Sequence, residues 1–206
     1  MYYFILALTL LIPLLIIAGI IYLYKKLSRR TFILLALTVT AGPYLAYKLL
    51  ERQFMLEAVP DALEVTSIAY QKEESWGFGP GGNEAGVRLY PLPDNIVQTI
   101  QQRGMDFFSK MPANQNQQSR DWRGSYDNWK ATPIQANESW QVNQESGRMD
   151  VKDYICAYGF CPGIKPSVAL EMNAIINSPG SYYAYGRIGM IIVSPEKKLV
   201  LYFYNG

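Results

Sequence analysis

The stretch YLYKKLSRRTFILL, residues 22–35, decides how this chain is built. Four cations, Lys25, Lys26, Arg29 and Arg30, sit between two apolar runs. Upstream, no charged residue occurs from Met1 to Tyr24. A run of more than about 18 apolar residues is the length a helix needs to cross a hydrocarbon core. Downstream, TFILLALTVTAGPYLAY covers residues 31–47, and Leu49 and Leu50 extend it if Lys48 snorkels to the headgroups. The pattern predicts a transmembrane helical hairpin with spans 2–24 and 31–50.

A cleaved signal peptide has its basic residues before a shorter apolar stretch, and here they come after a long one. Short basic loops stay in the cytoplasm, so loop 25–30 predicts both chain ends on the outer side of a bacterial inner membrane. Tyr2, Tyr3, Tyr22, Tyr24, Tyr44 and Tyr47 fall where aromatic belts meet the headgroups. Ala18, Gly19, Ala36, Ala41 and Gly42 are small enough to permit helix contacts within the bilayer.

The formal net charge of +2 changes meaning with this topology. Five of the 19 Lys and Arg lie in the hairpin, whereas all 17 acids lie from Glu51 onward. The exterior part therefore carries 14 cations against 17 acids, a net −3, and gives no support to nucleic-acid binding. The expected partners are the lipid bilayer and a protein in the periplasm. In that oxidising compartment Cys156 and Cys161, the only cysteines, are expected to form a disulfide.

Residues 51–60 read as a juxtamembrane helix or linker ending near Pro60, and 61–206 as a periplasmic α+β domain. LEVTSIAYQ and VRLYPLP read as strands. DNIVQTIQQRGMDFFSKM, residues 94–111, reads as one amphipathic helix, and PSVALEMNAIINSPG as another. YYAYGRIGMIIV and LVLYFYNG, joined by SPEKK, give two strands. The expectation is an antiparallel sheet with two or more helices on one face. Residues 113–152 are rich in Asn, Gln and Ser and poor in aliphatics, which suggests an irregular segment. Its Trp122, Trp129 and Trp140, with Tyr126, serve either as contacts or as pins to the core.

WGFGPGG, residues 76–82, matches G-x-G-x-x-G, but that fingerprint needs a helix opening directly from it, and a strand pattern follows instead. No cofactor site is expected. The absence of histidine removes Ser-His-Asp and Cys-His catalysis, and two cysteines alone make no metal ligand set. Carboxylate chemistry remains, with Glu73, Glu74, Glu84, Asp121 and Asp127 near aromatics, yet no spacing fixes a working pair. The chain is accordingly expected not to be an enzyme. Candidate partner contacts are Trp76, Phe78, Trp122, Arg123, Tyr126 and Trp129.

The architecture, a helical hairpin presenting a small outward domain, is similar to that of membrane-anchored immunity proteins that guard bacteria against envelope-acting toxins. The likeness is architectural and carries no residue across. It implies a membrane-tethered protein-binding module. Two alternatives are a structural subunit of an inner-membrane complex and a carboxylate-dependent cell-wall hydrolase.

Overall fold

A computed structural model describes residues 2–76, 84–138 and 140–205, with the side chains of 2–10, 12 and 13 left aside. The chain divides into two compact units, Met1–Gln53 and Phe54–Gly206.

The first unit consists of α1 (Tyr2–Lys26) and the larger part of α2 (Arg29–Leu56). Leu27 and Ser28 separate them, and Ser28 caps α2, its hydroxyl accepting from the Thr31 N–H at 3.2 Å. Among the described residues one helix, α2, is long and apolar enough to cross a membrane or to serve as a signal sequence, with a mean hydropathy of 1.5. Of the two expected spans, the one on α2 meets this criterion; the side chains of residues 2–10, 12 and 13, in the other, lie outside the described residues. None of the apolar stretch of α2 is buried.

The second unit is α+β. A six-stranded antiparallel sheet runs in the order β1-β2-β6-β5-β4-β3. Its strands are β1 (Tyr70–Ser75), β2 (Glu84–Pro91), β3 (Lys130–Ala131), β4 (Tyr182–Tyr185), β5 (Met190–Ser194) and β6 (Leu199–Asn205). The helices are α3 (Asp94–Arg103), α4 (Met105–Ser109), α5 (Gln117–Arg120), α6 (Val151–Ile155) and α7 (Pro166–Asn177).

Helices cover both faces of the sheet, not one as the sequence suggested. On one face Val87, Leu89, Met190, Ile192, Leu201 and Phe203 meet α6 and α7 through Val151, Ile155, Met172 and Ile176. On the other, Tyr90, Ile191, Val193, Val200 and Tyr202 meet α3 and α4 through Ile96, Ile100, Phe107 and Phe108. Successive residues of β5 and β6 alternate between these two layers, so β5 is buried at every residue. That double coverage is the physical reason for the unbroken apolar run MIIV.

Two further expectations shift. The single helix over 94–111 breaks at Gly104, whose φ of +55° is a conformation glycine reaches at no steric cost. The first strand begins at Tyr70, not at Leu63. A 3-10 turn occupies Asp61–Leu63, and Val65 and Ile68 then pack against the α3 layer.

Candidate functional site

Residues 113–152 are held by polar anchors. Arg120, at the end of α5, is buried; its guanidinium pairs with Asp61 and donates to the carbonyls of Glu57 (2.8 Å) and Val59 (2.9 Å). Arg123 pairs with Glu57 at 2.8 Å and lies 4.4 Å above the Phe54 ring. The Tyr126 hydroxyl donates to the Ala58 carbonyl at 2.7 Å, and Trp129 rests on Phe108 with centroids 4.5 Å apart. Trp140 is only 2% exposed, and its indole N–H donates to the Asp150 carbonyl at 3.0 Å.

The expected contact residues are thus engaged with the fold to different degrees. Tyr126 and Trp129 pack on the α3 layer, and Trp122 and Arg123 are half-buried. Trp76, just after β1, stands 77% exposed. Phe78 and the glycine loop beyond Trp76 lie outside the described residues.

Cys156 and Cys161 are joined in a disulfide at the C-terminal end of α6. The Cys161 N–H donates to a Glu74 carboxylate oxygen at 3.0 Å, which ties the disulfide loop to β1. This loop carries Tyr158, 70% exposed. Beside it opens a groove of about 680 Å³, whose lining includes Asn137, Glu138, Tyr154, Tyr158, Tyr185, Arg187 and Asn205. Its volume falls within the range of about 300–1,000 Å³ usual for ligand sites.

Each wall of the groove is braced. The Tyr154 ring packs against Trp140 (5.1 Å) and Phe203 (5.2 Å), and Asn205 donates its amide to the Tyr154 carbonyl. Asn137 donates to the Tyr185 hydroxyl at 3.0 Å, and its own oxygen accepts from the Trp140 N–H at 3.0 Å. The β4–β5 turn carrying Arg187 lies hard against β6, where a Cβ on Gly189 would collide with the Phe203 carbonyl. Burial raises the Tyr154 hydroxyl and, against the pull of Asn137, the Tyr185 hydroxyl. Both phenols therefore stay protonated and able to donate near neutral pH.

A second polar cluster lies on the α3 face between β1, β2 and β6. Arg88, 7% exposed, donates from Nη2 to Glu73 (3.0 Å) and to the Tyr204 hydroxyl (2.9 Å). The Tyr204 hydroxyl donates to the same Glu73 carboxylate. Burial raises the Glu84 carboxyl, and neighbouring Glu73 raises it further. The strand register turns Glu73 and Glu84 to this face and Glu74 to the other. As a carboxylate pair the first two differ in environment, but Glu73 is committed to Arg88 and Tyr204. Asp121 approaches Arg187 at 3.7 Å on the surface, and no group of three metal-ligating side chains occurs among the described residues.

No family model, curated protein or solved structure matches the chain.

The groove residues were not singled out by the sequence. Tyr154, Tyr158, Tyr185 and Asn205 are spread over about a quarter of the chain, and only the disulfide pair marked their neighbourhood. The sequence offers the acids at 73 and 84 as candidates, whereas nothing in it marks Arg88, which bonds Glu73 and Tyr204.

Proposed function

We propose that this chain is a membrane-anchored recognition module whose exterior domain binds a component of the bacterial envelope in the groove beside the disulfide. In this reading α1 and α2 insert as a two-span hairpin, loop 25–30 faces the cytoplasm, and residues 61–206 face the periplasm. The character of α2 supports insertion. Leu34, Val39, Leu49 and Leu50 are all more than 60% exposed, a surface that water disfavours and lipid accepts. The hydroxyls of Thr38 and Thr40 donate to the carbonyls of Leu34 (2.9 Å) and Ala36 (2.7 Å), leaving no polar atom of either side chain to face hydrocarbon unpaired. The disulfide suits an oxidising compartment.

The observation that carries the recognition reading is the groove itself. Tyrosines project into a concavity whose walls are fixed by hydrogen bonds and core packing, and a preformed site binds at less entropic cost. Catalysis is not part of the proposal. A protein partner, immunity-like guarding included, is the second reading; the exposed ring of Trp76 favours it.

The test is photo-cross-linking in the membrane-inserted full chain. A photoreactive residue in place of Arg187, which lines the groove, is expected to give one specific adduct with an envelope component. The same residue in place of Glu196, in the β5–β6 turn at the other end of the strands, is expected to give none. Equal labelling at both positions, or none at either, defeats the reading.

A further inference from the structure

We infer that the occupant of this groove is a neutral saccharide chain; the inference rests on the recognition reading above. It starts from the lining. Two tyrosine rings are offered to solvent, Tyr158 at 70% and Tyr185 at 38% exposure. Around them stand planar polar groups, the amide of Asn205, the carboxylate of Glu138 and the guanidinium of Arg187. A pyranose ring has the complementary surfaces. Its C–H face lies flat on an aromatic ring, and its edge carries hydroxyls that both donate and accept.

The hydrogen-bond inventory fits this division. Asn137 is used up in positioning, its oxygen on the Trp140 N–H and its nitrogen on the Tyr185 hydroxyl. The Tyr185 oxygen accepts that bond and so keeps its own proton to donate. Asn205 spends one donor on the Tyr154 carbonyl and retains a second N–H.

Charge separates the competitors. Among the described residues the groove is lined by one acid, Glu138, and one base, Arg187, and Asp121 lies 3.7 Å from that base. No excess of cations is present for a phosphate-rich or carboxylate-rich ligand. A protein hot spot wants a desolvated apolar pocket for its anchor. The aliphatic lining here is confined to Ala157 and Ile188, and the Ile188 carbonyl is taken by the Tyr202 hydroxyl at 3.0 Å.

The disulfide belongs to the same device. Cys156 and Cys161 close a short loop around Tyr158, and the Cys161 N–H anchors that loop to Glu74 at 3.0 Å. Tyr158 is thereby held at the rim with little hydrophobic packing of its own. This explains how so exposed a ring acts as a platform without losing its gain to entropy.

The experiment is calorimetric titration of the full chain, in a detergent without a sugar headgroup, with chitotetraose and separately with cellotetraose. Saturable binding of either is expected, with Tyr158→Ala weakening it about tenfold and Tyr185→Phe several-fold. The melting temperature of both variants is expected to match the parent, since Tyr158 is mostly exposed and Tyr185→Phe keeps the ring and removes only a hydroxyl. If neither tetrasaccharide binds, or if Tyr158→Ala binds as well as the parent, the saccharide inference is overturned. A specific polypeptide adduct at position 187 together with silent sugar titrations would keep the recognition reading and discard the saccharide. Loss of both would remove the site altogether.

Discussion

Asn137 holds the Tyr185 hydroxyl at 3.0 Å, bridging 48 residues of sequence to fix one wall of the groove. Removing the bridge and removing the hydroxyl should have different consequences. Asn137→Ala also removes the shorter of two bonds from the Trp140 N–H, leaving the one to the residue 137 carbonyl at 3.3 Å, so it is expected to cost about 1 kcal/mol and lower Tm by roughly 2–4 °C. Tyr185→Phe is expected to leave Tm within about 1 °C while weakening the groove ligand. Scanning calorimetry and titration on the same preparations check both halves.

Arg120 is the anchor of the irregular segment. Arg120→Met keeps the stem but removes the donor shared by the carbonyls of Glu57 and Val59, while Asp61 keeps the Gln115 N–H at 2.8 Å. The expected loss is about 3 kcal/mol, or roughly 6–12 °C in Tm. Arg120→Lys should recover only part, because a single ammonium cannot reproduce the fork. A shift under about 2 °C for Arg120→Met would show that the segment is held by other contacts.

The Arg88–Glu73 pair predicts an asymmetric double-mutant cycle. Arg88 is buried, whereas the Glu73 side chain is 29% exposed and can be hydrated. Glu73→Ala leaves a buried cation without its ion-pair partner and should cost more, about 1–3 kcal/mol after discounting for solvent, than Arg88→Met. The double variant should be no less stable than Glu73→Ala. Denaturant melts of the four proteins decide it; simple additivity would refute the coupling.

Much of this architecture is written locally, and the rest is not. The strands of LVLYFYN and MIIV, the helix Pro166–Asn177 and the cysteine pair follow from neighbouring residues. The unbroken run Met190–Val193 also carried the sign that both sheet faces are covered, since a sheet wet on one side alternates. The break at Gly104 was hidden because the apolar period continues across it. The order of 113–152 was invisible for a different reason. Arg120, Asn114 and Tyr126 find their partners more than 50 residues away, or at backbone atoms that carry no sequence signature. The groove has the same property, for its tyrosines come from α6, the disulfide loop and β4.

Glu84 makes stability depend on pH. Burial, then Glu73, raises its carboxyl, against a smaller pull from Arg88. The folded chain keeps this proton at a pH where the unfolded chain has released it. The associated stability is full below the ordinary value of 4.5 and is lost as pH rises through the raised folded value. Glu84→Gln is therefore expected to melt about 1–2 °C above the parent at pH 7 and level with it at pH 4. Melts at the two pH values test the sign, and an advantage that grows on acidification would reverse it.

The most direct test of the account is the side of the membrane on which each unit lies. Single cysteines at Ser28, between α1 and α2, and at Lys197, in the β5–β6 turn, are labelled in spheroplasts with a membrane-impermeant thiol reagent. The paired Cys156 and Cys161 should leave the parent unlabelled. The account predicts that Lys197→Cys is labelled at once and Ser28→Cys only after the membrane is opened. Labelling of Ser28→Cys in intact spheroplasts with Lys197→Cys protected would place the groove in the cytoplasm and contradict the account.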